Sequence, residues 1–187
     1  MVCFFAIDEK RVWNMLLIEP TLEYAKEIEA YRQEFLDIDG SMDGCGSLRR
    51  CATGAEWIEK CRLGKDPATV PANLVPATQF IYVRETDNKV VGMLQIRHYF
   101  NEYLEKYSGH IGYSVRPSER RKGYATAMLR DALPHCRELG ITDVLISCLT
   151  DNEGSRRTIL HNGGVYESTV REPERQRDLE RYWIHLG

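Results

Sequence analysis

The chain has 187 residues, 43% of them hydrophobic, with 25 basic against 28 acidic side chains and a net charge of -3. That length suits one domain, that apolar content excludes a disordered chain, and that balance excludes a general nucleic-acid binder, so any contact with a polyanion must be local. No apolar run approaches the ~20 residues of a bilayer span, so no membrane partner is expected, and six cysteines without C-x-x-C or zinc spacing predict reduced thiols, no metal site and a cytoplasmic setting.

Residues 1–14 contain the apolar run Val2 to Ile7, too short and too poorly flanked for a signal peptide, and read as an extra strand or a flexible start. Met15 to Ile18 reads as a strand that Pro20 ends. Thr21 can cap a helix in which Leu22, Ala25, Ile28, Tyr31, Phe35 and Leu36 recur at helical spacing. Asp39 to Ser47 is a glycine- and aspartate-rich loop, Thr53 caps a second short helix to about Leu63, and the prolines of Lys65 to Pro76 mark another loop. Gln79 to Glu85 and Val90 to His98 form a hairpin across Asp87-Asn88. Tyr99 to Ser108 leads to a strand at His110 to Val115 that Pro117 stops. Tyr124 to Leu139 is helical, with a kink or an early end expected at Pro134. Val144 to Leu149 is a central strand and Ser155 to His161 a short helix. Tyr166 to Arg171 and Tyr182 to Leu186 form a last strand pair around a charged connection. This order gives a mixed α/β sheet, with a right-handed β-α-β crossover around the helix at Tyr124.

The stretch VRPSERRKGYATAML (115–129) asks for a specific explanation. It places four cations, Arg116, Arg120, Arg121 and Lys122, within seven residues of an otherwise acidic chain, directly before Gly123, Ala125 and Thr126. A helix N-terminus offers unpaired N–H groups and positive potential, glycine lets the backbone approach a bulky anion, and the small residues keep the first turn clear. A pyrophosphate would suit such a site. A merely solvated basic loop is the competing explanation. Neither a Walker A loop nor a G-x-G-x-x-G fingerprint is present.

Arg120-Arg121-Lys122-Gly123-Tyr124-Ala125 resembles the Q/R-x-x-G-x-G/A motif of the GNAT superfamily of acyl-CoA N-acyltransferases. The strand ending at Val115 before it, the long helix and apolar strand after it, and Asn152-x-x-Ser155, similar to the family's N-x-x-A/S signature, extend the likeness from about Phe80 to the C-terminus. The strings GHIGYSVRPSERRKGYATAML and SRRTILHNGG resemble a bacterial branch of predicted acetyltransferases. The resemblance implies an α/β GNAT fold with a mixed, mostly antiparallel sheet flanked by helices. It implies one domain over residues 1–187, with 15–76 on the acceptor side and 78–187 forming the acetyl-CoA-binding core. Acetyl-CoA is the implied cosubstrate. Its pyrophosphate would rest on Arg120, Arg121, Lys122, Gly123, Tyr124, Ala125 and Thr126. Its pantetheine arm would lie along Val115, with Asn152 and Ser155 beside it. A helix cap is the other reading of Asn152.

The implied reaction is acetyl transfer to a primary amine, which needs an amine without its extra proton, donors for an oxyanion and a proton for the thiolate. Many relatives carry a tyrosine at the position of Ile159 and some a glutamate at the position of Gly109, and this chain has neither. His110, Tyr113 and Glu102 are therefore the candidates. Against each stands a plainer role: a hydrogen-bonded strand histidine, a core tyrosine, a solvated glutamate. Cys148 reads as a buried structural thiol rather than a nucleophile. Asp37, Asp39 and Asp43 could attract a cationic small-molecule or peptide amine, with solvated loop carboxylates as the alternative. No stacking platform for a nucleic acid is present. Dimers are common in the superfamily, so a homodimer is among the partners the resemblance allows. The missing tyrosine and glutamate also leave a non-catalytic acyl-CoA sensor as a second reading.

Overall fold

The computed structural model describes residues 14–187, so the apolar run Val2 to Ile7, Cys3 and the reading of residues 1–14 as a strand or flexible start fall almost wholly outside the described residues. In chain order it contains β1 (Met15–Ile18), α1 (Ala25–Asp37), α2 (Gly54–Lys65), β2 (Ala77–Arg84), β3 (Lys89–Arg97), β4 (Ile111–Val115), α3 (Tyr124–Glu138), β5 (Asp143–Leu149), α4 (Glu153–His161), β6 (Val165–Glu172) and β7 (Arg177–His185). The expected order of strands and helices is reproduced, because apolar periodicity and the Pro, Gly and Asx punctuation point the same way in each segment.

The strands form two antiparallel sheets, β1-β2-β3-β4 and β5-β7-β6. The expected β-α-β crossover differs here: α3 connects β4 and β5 across the boundary between the sheets, and the two strands meet only at an isolated bridge between Gly109 and Ile146. Other local expectations also shift. Thr21 makes no side-chain cap, and a short 3-10 turn (Leu22–Tyr24) precedes α1. Thr53 does cap α2, accepting from the Glu56 N–H at 3.1 Å, while Glu56 accepts from Ala52 N–H at 2.7 Å. Helix α3 runs past Pro134 to Glu138, so the early end does not occur.

Two cores lie on opposite faces of the first sheet. Phe80, Tyr82, Val91, Leu94 and Ile96 pack on α3 and the second sheet, while Ile81, Val83, Val90 and Met93 pack on α1 and α2. Strict alternation along β2 explains the division, since successive side chains face opposite ways. A bulge opposite Tyr82 and Val83 carries β3 through the same division with both Val90 and Val91 buried. No helix among the described residues is long and apolar enough to cross a membrane.

Candidate active site

Between β4 and β5 lies a groove of about 2740 Å³, well beyond the ~300–1,000 Å³ of an ordinary small-molecule pocket. Its shape follows from one backbone contact. A Cβ on Gly109 would stand 2.3 Å from the Leu145 carbonyl oxygen, and Gly109 has φ +81, so glycine alone lets the two strands touch there. The His110 N–H then donates to the Leu145 carbonyl at 2.8 Å, and the Leu145 N–H donates to Nδ1 of His110 at 3.1 Å. Beyond this joint the strands part.

Strand β4 therefore has one paired and one open edge. Arg97 N–H donates to the His110 carbonyl and Arg116 N–H to the Val91 carbonyl, which marks the even-numbered positions as those bonded to β3. Antiparallel alternation turns the backbone groups of Ile111, Tyr113 and Val115 the other way, into the groove. The Val115 carbonyl there accepts from Nε of Arg120 at 3.3 Å.

The open edge leads to the start of α3. Gly123 occupies the N-cap with φ 87 and no side chain caps the helix. Arg121 also has positive φ, 65, while Lys122 does not, so the alternation turns successive N–H groups into a concave nest at a helix N-terminus. Nothing lies within 4 Å of where a Gly123 Cβ would sit. The four cations separate into two pairs. Arg116 is 6% exposed and bound to Glu27 at 2.8 Å and Glu34 at 2.6 Å, and Lys122 binds Glu119 at 2.7 Å. Glu119 is itself buried. Burial opposes its charge, but hydrogen bonds from Arg84, Lys122 and Lys89 outweigh that and hold its carboxyl at about 2. Among the described residues no carboxylate pairs with Arg120 or Arg121, and Arg120 lies 5.3 Å above the Phe35 ring. Positive charge free for a ligand thus resides on Arg120 and Arg121.

The catalytic candidates end up in different settings. Burial, then the charge of Arg97, holds the His110 imidazole down at about 4. Its Nδ1 is taken by Leu145 and its ring stacks on Phe100, 4.0 Å between centroids. Tyr113 lines the groove, and its hydroxyl is 2.7 Å from the Ser155 Oγ, with burial raising its pKa. Glu102 is exposed and is not part of the groove wall. Ile159 is fully buried in the core, and Gly109 has no room for a glutamate. Asn152 accepts from the Ser155 N–H at 3.0 Å and caps α4 while also lining the groove. The Cys148 thiol is buried and pushed up to about 11, an unactivated state.

On the opposite face of β4, the loop of Asp43, Gly44 and Cys45 closes over the strand. A Cβ on Gly44 would meet the Gly112 carbonyl oxygen at 2.1 Å, the Gly44 carbonyl accepts from Nε2 of Gln79 at 2.7 Å, and Cys45 Sγ lies 3.2 Å from Ser114 Oγ. Of the three aspartates, Asp43 lines the groove; Asp37 and Asp39 do not. Arg97, Tyr103, Glu172 and Arg175 also line it and were not marked by any sequence motif. Arg97 is the last residue of β3, Tyr103 lies in the helical segment before β4, Glu172 ends β6 and Arg175 lies in the turn after it.

Residues 52–163 match the model of the acetyltransferase (GNAT) family. Solved structures of similar fold include a microcin self-immunity acetyltransferase in complex with acetyl-CoA and AMP, with 18% identity, TM-score 0.66, and 91% of this chain and 92% of that one covered. A ribosomal-protein-alanine acetyltransferase of Vibrio fischeri has 16% identity, TM-score 0.68, and coverage of 91% and 92%. A GNAT-family acetyltransferase of Bacillus anthracis has 16% identity, TM-score 0.63, and coverage of 92% and 95%. No curated protein matches the sequence.

Proposed function

Because the chain belongs to the GNAT acetyltransferase family of N-acyltransferases, we propose that it moves an acetyl group from acetyl-CoA to a primary amine by direct attack in a ternary complex. The observation that carries this reading is the open edge of β4 running into the uncapped N-terminus of α3. A pyrophosphate fits the nest of Arg121 to Thr126 with Arg120 beside it. The pantetheine arm, which has amides of its own, fits the outward N–H and C=O groups of Val115 and its neighbours as an added strand. The same row of N–H groups would then meet the thioester carbonyl and stabilise its oxyanion.

The protons need other carriers than the family's usual ones. Tyr113 stays protonated well into the alkaline range and points along the groove to Ser155, so its hydroxyl can hand a proton to the departing thiolate. His110 is a poor base, since Nδ1 accepts the Leu145 N–H, and it serves the joint between the sheets instead. The amine then gives its proton to water in the open groove. Residues 15–76, above all the loop of Asp43 and Gly44, would form the acceptor side. Tyr113→Phe is expected to lower kcat by about 10²-fold, the low end of general acid catalysis, with little change in the KM for acetyl-CoA. An unchanged kcat would remove Tyr113 from the reaction.

Calorimetric titration with acetyl-CoA, beside an Arg120→Glu, Gly123→Glu double variant, tests the anion site. Binding near micromolar, about -8 kcal/mol, in the wild type and none in a folded variant is expected. Equal binding by both would overturn the assignment. Release of free CoA with a panel of amines then tests transfer. Tight binding without any release would favour the acyl-CoA sensor.

A further inference from the structure

At the acceptor end of the groove the guanidinium of Arg97 stands over Gly112, with Nη2 3.3 Å from where a Cβ on that glycine would be. Nη1 donates to the Gly109 carbonyl oxygen at 3.1 Å. A guanidinium carries five N–H donors in a rigid fork. Several part-buried arginines fill theirs: Arg84, Arg116 and Arg156 are held by carboxylates, and Arg32 and Arg137 each make two or more bonds to carbonyl oxygens. Among the described residues no carboxylate pairs with Arg97, and no buried side-chain nitrogen or oxygen lacks a partner. The donors that Gly109 leaves over therefore open on the groove, whose wall Arg97 forms.

The neighbouring acids do not close an ion pair on this charge. Glu172 is 2% exposed, and its two oxygens accept the N–H groups of Glu174 and Arg175, each at 2.8 Å. Asp43 is exposed and lies near enough for its charge to act on Arg97, yet the two form no ion pair. A half-buried cation with a free fork and a separate exposed carboxylate together fit a ligand that bears both charges. Gly112 sits between Ile111 and Tyr113, whose N–H groups face the open edge, so a group on Arg97 would be held beside the point of transfer.

Resting on the acetyl-transfer reading above, we propose that Arg97 receives an acid group of the acceptor, so that the acceptor is a compact amine carrying a carboxylate or a phosphate, with its ammonium drawn in by Asp43. Both acids match the guanidinium fork, which binds either one through paired hydrogen bonds.

The test is calorimetric titration of the protein–CoA complex with matched pairs: glycine against glycinamide, β-alanine against its amide, and phosphoethanolamine against ethanolamine. The acid member of at least one pair is expected to bind about tenfold to a hundredfold tighter, the worth of a charged hydrogen bond. The pair that shows the preference tells carboxylate from phosphate. The preference should vanish in Arg97→Gln and partly return in Arg97→Lys. Because each ratio is taken within one variant, general loosening from the lost Gly109 bond cancels. Equal affinities, no binding of any member, or a preference unchanged in Arg97→Gln would overturn the proposal. Release of CoA from acetyl-CoA with the same pairs is scored separately. A preference without release would leave Arg97 as the acid site and sink the transfer reading.

Discussion

Residue by residue, the site has a steric reason to lack the glutamate that the resemblance allows at position 109. A glutamate at position 109 would drive its Cβ into the Leu145 carbonyl, in a backbone conformation that only glycine adopts freely. The sequence reveals that the glutamate is missing; it does not reveal that the glycine joins two sheets. The histidine beside it is equally hard to judge from sequence. His110 has the ring of a general base, yet its setting ties Nδ1 to a backbone donor. Its pKa falls from 6.5 to about 4 on folding. Between those values the unfolded chain binds a proton that the folded protein refuses. Its contribution to stability is therefore complete above pH 6.5 and lost as pH falls toward 4. Half-buried His98, also lowered, acts in the same direction, whereas Glu119 matters only below its ordinary 4.5. Urea midpoints measured from pH 7.5 to 4.5 should fall in the wild type and fall less steeply in His110→Gln. An unaltered slope would show that this ring is not the proton-refusing group.

At the scale of the element, the basic run before α3 separates charge held in ion pairs from charge left open. Arg116 belongs to the body of the protein, fastening the end of β4 to α1 through Glu27 and Glu34. Arg121 has no such partner and sits in the nest. Arg116→Ala should therefore lose about 2 kcal/mol of stability, the usual worth of charged hydrogen bonds from a buried side chain to partly exposed carboxylates. Arg121→Ala should stay within ~0.5 kcal/mol of wild type yet weaken acetyl-CoA binding. Chemical denaturation and calorimetry on both variants check this, and a destabilised Arg121→Ala with normal binding would reverse the assignment. From the sequence these arginines are equivalent, because the partners of Arg116 on α1 lie more than eighty residues away in the chain. The nest itself was legible, since Gly123 and the small residues after it are local signals.

For the molecule as a whole, the order of strands and helices was legible and the division into two sheets was not. Each element carries its own apolar period, whereas the parting of β4 from β5 depends on a single contact between Gly109 and Leu145. Arg97 escaped notice for the same reason: its neighbours Gly109 and Gly112 are brought to it only by the fold. The open edge makes a prediction with alternating sign. Acetyl-CoA should slow amide exchange at Ile111, Tyr113 and Val115 and leave Gly112 and Ser114, already bonded to β3, much as they were. Uniform slowing along β4 would mean that the cosubstrate does not bind as an added strand. The joint at Gly109 and the nest at Gly123 also act together as a ruler. Ile111 to Val115 spans roughly 14 Å at a strand's rise. With acetyl-CoA bound as proposed, its reactive carbon would be placed by its distance from a phosphate anchor rather than by a pocket shaped to acetyl. A thioester cut off before its pyrophosphate would keep the same chemistry and still lose its place. Acyl groups longer than acetyl would be refused only by what stands at the joint of Gly109 with Leu145.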